Sequence, residues 1–123
     1  EGTLTREPDL WPMRGKTGAV RLALEGGIPV IPMAQWGTQA VLPRYGKLRL
    51  WPPRRPVSVI FGDPVDLDAF RTGPTQPAAL VEATDVVMAD IAELLAQLRG
   101  EPAPAERWNP SQHGQKEIGR LEP

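Results

Sequence analysis

One stretch limits the architecture of this chain more than any other. From Pro77 to Arg99, residues Leu80, Thr84, Val87, Ile91, Leu94 and Leu98 recur at three- and four-residue spacing and fall on one stripe of an α-helix. Pro77 lies in the first turn, where its missing N–H costs nothing, and Gly100 stands just past the last residue. The stripe is predicted to be core packing, so the rest of the chain has to supply elements that cover it. That remainder is heavily punctuated, because 15 of the 123 residues are proline. Prolines confine strands to sheet edges, strand ends and bulges.

Upstream, Gly18 to Glu25 is predicted as a short helix, with Thr17 as its N-cap and Gly26-Gly27 as its stop. Val20, Ala23 and Leu24 make its apolar face. Ile28 to Trp36 is an apolar, β-branched run of strand length, consistent with a strand covered on both faces. Lys47-Leu48-Arg49-Leu50-Trp51 alternates and predicts a half-buried strand, ended by Pro52-Pro53. Val57 to Phe61 predicts another, closed by the turn Gly62-Asp63-Pro64, with residues 66–76 as a connection. Helix, glycine and strand in succession form the second half of an α/β unit, so the fold class is α/β. Residues 1–100 are predicted as one domain at most, or a piece of one. Beyond Gly100 the chain turns Pro-rich and polar around isolated Trp108, Ile118 and Leu121, and residues 101–123 are predicted to be a disordered tail.

Composition narrows the chemistry. There is no cysteine and a single histidine, His113, so thiolate and histidine metal sites are not expected. His113 falls in the predicted tail, where nothing would orient it as a general base. No apolar run reaches the length of a membrane span, and no signal peptide opens the chain. Its first residues lie inside what reads as a motif, which leads to the expectation of a fragment. Charge is uneven: residues 1–55 carry a net +5 and residues 56–123 a net −6. An electropositive half suits an anionic small molecule, an anionic membrane surface or nucleic acid.

The run Arg14-Gly15-Lys16-Thr17-Gly18 contains the Gly-Lys-Thr that ends a nucleotide-binding P-loop. That loop needs a glycine five positions earlier, where this chain has Leu10, and Pro12 removes a backbone N–H from the lead-in. A P-loop is therefore excluded. What remains is Lys16 at a predicted helix N-terminus, where free N–H groups and the helix dipole favour an anion. Ten residues earlier, Glu1-Gly2-Thr3-Leu4-Thr5-Arg6 gathers a carboxylate, two hydroxyls and a guanidinium whose fork matches phosphate.

Three segments in series resemble a known family. Glu1-Gly2-Thr3, then Lys16-Thr17-Gly18-Ala19-Val20-Arg21-Leu22-Ala23, then Gly27-Ile28-Pro29-Val30-Ile31-Pro32 are similar in order and spacing to the C-terminal half of the 1-acylglycerol-3-phosphate acyltransferases. The resemblance covers about residues 1–67. It implies the C-terminal part of a mixed sheet flanked by helices, with the long helix and the tail following. It also implies transfer of a fatty acyl group to lysophosphatidic acid, with acyl-CoA or acyl carrier protein as co-substrate, no further cofactor and no metal. By the same resemblance Glu1, Gly2, Thr3, Arg6 and Lys16 bind the acceptor's phosphate and glycerol, and Pro32 lines the site. The family's arginine follows the threonine at once; here Leu4 stands there and Arg6 is displaced by two residues. The family's catalytic His and Asp, four residues apart, have no counterpart in this chain and are expected upstream.

A peripheral location on the cytoplasmic face of the cell membrane follows from the resemblance. Tyr45, Leu48, Leu50 and Trp51 interleave with Arg44, Lys47, Arg49, Arg54 and Arg55. That mixture fits an anionic bilayer surface, and equally a strand with a solvated basic face. It contains no nucleic-acid-binding pattern, so nucleic acid is not an expected partner. The alternative to an enzyme is a non-catalytic anion- or lipid-binding module that keeps the phosphate cluster without the dyad.

Overall fold

A computed structural model describes residues 4–72 and 76–115. They form a small mixed α/β domain built on one long helix. Its elements are α1 (Gly18–Gly26), β1 (Met33–Trp36), α2 (Thr38–Val41), β2 (Ser58–Phe61) and α3 (Pro77–Arg99), with short 3-10 turns at Asp68–Phe70 and Pro110–His113.

Helix α3 runs between the predicted limits, and Gly100 ends it in the left-handed conformation at φ 68°. Its stripe meets two clusters. Towards its N-terminus Leu80, Ala83 and Val87 pack with Val20 of α1 and with Val65 and Leu67 of the following connection. Towards its C-terminus Leu94 and Leu95 pack with Trp11 and Ala34. Helix α1 occupies the predicted residues, but Thr17 makes no side-chain cap. Its own backbone is already helical (φ −74°, ψ −4°), which does not place the hydroxyl as an N-cap does.

The sheet is smaller than predicted. Strands β1 and β2 pair antiparallel, Met33 opposite Phe61 and Trp36 opposite Ser58, and no third strand joins them among the described residues. Pro29 and Pro32 have no N–H to give a ladder, so only the last four residues of the Ile28–Trp36 run become strand. The preceding residues still contribute carbonyls: Val65 N–H donates to Val30 O at 2.8 Å and Gly62 N–H to Pro32 O at 2.9 Å. Nor is the strand covered on both faces. Ala34 and Ile60 face α3, whereas Met33, Val59 and Phe61 on the other face are exposed.

Residues 47–51 are not a strand. Among the described residues no strand pairs with them; instead Arg49 N–H donates to Val41 O at 2.7 Å, and Leu48, Leu50 and Trp51 project into solvent. Residues 101–115 also depart from the predicted disorder. Arg14 N–H donates to Trp108 O at 3.0 Å, Arg107 pairs with Asp85 of α3 at 2.7 Å, and Pro110 is buried. His113 stacks on Trp108 with ring centroids 3.6 Å apart. A local count of apolar residues misses this docking because the partners, Met13 and Arg14, are distant in sequence. Residues 116–123 lie outside the described residues.

One side chain joins the loop, the sheet and the helix. The Arg99 guanidinium sits 4.1 Å from the Trp11 ring centroid and 4.3 Å from that of Trp36. It also donates to Asp9 O at 2.6 Å and pairs with Glu101. Arg99→Ala should lower stability by about 2–4 kcal/mol, from two desolvated cation–π contacts and a charged hydrogen bond. Arg99→Lys should recover only a minor part, since an ammonium is not a planar group that stacks on both rings. Urea unfolding followed by circular dichroism checks both, and wild-type stability in Arg99→Ala refutes the role.

Candidate anion-binding site

Two neighbouring loop segments hold the polar residues singled out by the sequence. The first is a closed turn. Thr5 Oγ1 donates to Trp11 O at 2.6 Å and accepts from Glu7 N–H at 3.3 Å, while Glu7 Oε2 accepts from Trp11 N–H at 2.8 Å. Leu10 takes a left-handed conformation (φ 67°), uncommon for a branched residue, and its N–H donates back to Glu7 O. Arg44 braces the turn from outside by donating to Thr5 O at 2.7 Å and Glu7 O at 3.0 Å. Arg6 is inside it, 3% exposed, with its backbone N–H on Met13 Sδ.

The second segment is Arg14-Gly15-Lys16-Thr17, pressed between α3 and residues 108–110. A Cβ on Gly15 would come within 2.8 Å of Met88 Cγ and Thr84 Cγ2, so the glycine permits loop and helix to touch. Beyond Gly15 the chain opens a cavity of about 340 Å3. Arg14, Lys16 and Thr17 line one side of it, and Thr84, Asp85 and Asn109 line another. Lys16 is exposed at this cavity and next to the start of α1. Thr17, the residue before α1, makes no side-chain cap to the first helical N–H groups, so the positive end of the helix stands next to the two cations. Asp85 is ion-paired with Arg107, which offsets the one carboxylate lining the cavity. Electrostatically this is a place for a small anion.

The predicted site residues do not all converge. Glu1, Gly2 and Thr3 lie outside the described residues. Lys16 lines the cavity, but Arg6 is buried in the neighbouring turn and stands outside it. Pro32 lies elsewhere, in a groove beside Gly62 whose walls carry Asp63, Asp90 and Glu93. An acidic groove repels phosphate. Arg14, Thr84 and Asn109 line the cavity without having been singled out as ligands. Arg14 was legible as the cation two residues before Lys16; Thr84 and Asn109 carry no local signal. Arg44 as a brace had none either, since its contacts reach back 37 and 39 residues.

Among the described residues no group of three His, Asp or Glu side chains could hold a metal ion. No helix among them is long and apolar enough to cross a membrane.

No family model, curated protein or solved structure matches this chain.

Gly15→Ala should cost about 1–3 kcal/mol, because the new methyl meets a buried, β-branched Thr84 that is itself bonded to Leu80 O. A P-loop glycine would instead lose phosphate affinity at unchanged stability. Thermal denaturation with and without inorganic phosphate separates the two.

Proposed function

We propose that this chain is the acceptor-binding part of a glycerolipid acyltransferase, holding the phosphate of a lysophosphatidic acid while an upstream His–Asp pair performs the chemistry. The observation that carries the proposal is Lys16 with Arg14 at an α1 N-terminus that Thr17 leaves uncapped. A monoanionic or dianionic phosphate there gains charge-assisted hydrogen bonds from side chain and backbone together. The motif order from Glu1-Gly2-Thr3 through Lys16-Thr17-Gly18 to Ile28-Pro29-Val30-Ile31-Pro32 supports the same family. So does the sheet, whose exposed outer face of Met33, Val59 and Phe61 offers the upstream half an apolar surface to pack on.

The division of labour follows. With its phosphate fixed at Lys16, the acceptor presents its free hydroxyl to the upstream histidine, which removes the proton as the oxygen attacks the thioester carbonyl. The thiol of CoA or of the carrier protein leaves and takes a proton. Arg6 acts in this scheme by holding the turn that follows Glu1-Gly2-Thr3, rather than by reaching the cavity of Lys16.

Lys16→Ala in the full-length protein should raise KM for lysophosphatidic acid about 10- to 100-fold, the worth of one hydrogen bond to a charged group, with kcat much less affected. Unchanged KM for the lysophospholipid removes Lys16 from the site. The 123-residue chain on its own should show no turnover, and any turnover by it refutes the placement of the dyad upstream. Binding of lysophosphatidic acid by a full-length protein that shows no acyl transfer identifies the non-catalytic module instead.

A further inference from the structure

Between Glu25 and Asp63 the chain has no acidic residue, and Arg44, Lys47, Arg49, Arg54 and Arg55 all fall in that interval. Four of these cations belong to the loop of residues 47–55, which also sets its large apolar side chains in water. Leu48 is 59%, Leu50 71% and Trp51 82% exposed. Single exposed apolar residues are ordinary, but three within four positions, bracketed by cations, form a patch that needs an occupant.

The base of the loop is braced rather than slack. Arg49 N–H is held by Val41 O, and Arg55 Nη2 donates to Trp51 O at 2.8 Å. At its foot Gly37, at φ 105°, lies so close to Pro56 that a Cβ would overlap the Pro56 carbonyl oxygen. The apolar tip is thus carried on a fixed frame, and ordering it on binding costs less than ordering a free chain.

We infer that residues 47–55 are a bilayer-docking loop for membranes rich in anionic lipid. Leu48, Leu50 and Trp51 enter the interfacial zone, where an indole ring sits at headgroup depth and the leucines lose water-exposed area. The exposed Lys47, Arg49 and Arg54 rest against the headgroups, with no carboxylate nearby in sequence to oppose them, while Arg55 stays in the frame. Nucleic acid fits less well, since two of the three tip side chains are aliphatic and offer no ring on which a base could stack. Leu42, Arg44, Tyr45 and Gly46, just before the loop, line a cavity of about 540 Å3 with Leu4 and Leu10. The inference goes beyond acyl transfer and does not rest on it.

The test is flotation of the full-length protein with phosphatidylcholine vesicles, with and without phosphatidylglycerol, in the absence of any acyl donor or acceptor. Binding is expected to the mixed vesicles, to weaken with salt, and to fall about 30-fold in Lys47→Ser/Arg54→Ser, at about fivefold per cation. Bromine-labelled lipid should quench Trp fluorescence, and Trp51→Phe should remove that quenching while vesicle binding persists. Equal binding to neutral vesicles, a Lys47/Arg54 double variant without effect, or quenching that survives Trp51→Phe would each overturn the docking loop, as would binding of RNA in place of vesicles. A failure here leaves the KM effect of Lys16→Ala standing, and the reverse also holds.

Discussion

The Arg99 guanidinium, which lies against the indoles of both Trp11 and Trp36, is the contact on which the rest of the domain hangs. A two-stranded sheet is marginal alone, and a loop of residues 4–16 has no regular structure to hold it. Both are tied to the last turn of α3 by one side chain that is nearly removed from water. Its charge is not stranded there, since Asp9 O and Glu101 accept from it and the ring faces supply the rest. The C-terminal end of α3 also bears partial negative charge, which favours a cation at that position.

The candidate site depends on that arrangement at one remove. With Trp11 fixed, Glu7 and Thr5 can close their turn, and Arg44 locks it from the other side. Lys16 then emerges five residues later, where Gly15 lets the chain graze α3. The resemblance to a phosphate loop in Arg14-Gly15-Lys16-Thr17 thus has a split origin. The glycine serves packing against Thr84 and Met88, and the lysine and uncapped helix start supply the charge.

How much of this was legible in the sequence follows from how far apart the causes lie. Helix α3 is written in local signals, Pro77 at one end, Gly100 at the other and a stripe between them, so its limits were readable residue by residue. Helix α1 and strand β2 were legible to within one residue, α1 running on to Gly26 and β2 starting at Ser58. The Lys47–Trp51 alternation was equally strong as a pattern, yet a pattern needs an edge to pair with, and no sequence window reports whether one exists. The outward Leu48, Leu50 and Trp51 are the result. Residues 101–115 failed in the opposite sense: their composition is poor in apolar residues, but Trp108 and Pro110 have somewhere specific to go. In the site, Lys16 could be read from its motif, whereas the burial of Arg6 and the remoteness of Pro32 are set by contacts across the fold.

The bridge between Met13 and Trp108 has a consequence for synthesis. Helix α3 can form from its own residues as soon as they emerge, within microseconds and far faster than elongation. The Arg14–Thr17 loop cannot reach its final position so early, because Trp108, which receives the Arg14 N–H, leaves the ribosome more than ninety residues later. Until then Met13 lacks the backbone segment that it bridges in the folded domain. The segment that looks most like a binding motif is made well before the residues that set it in place.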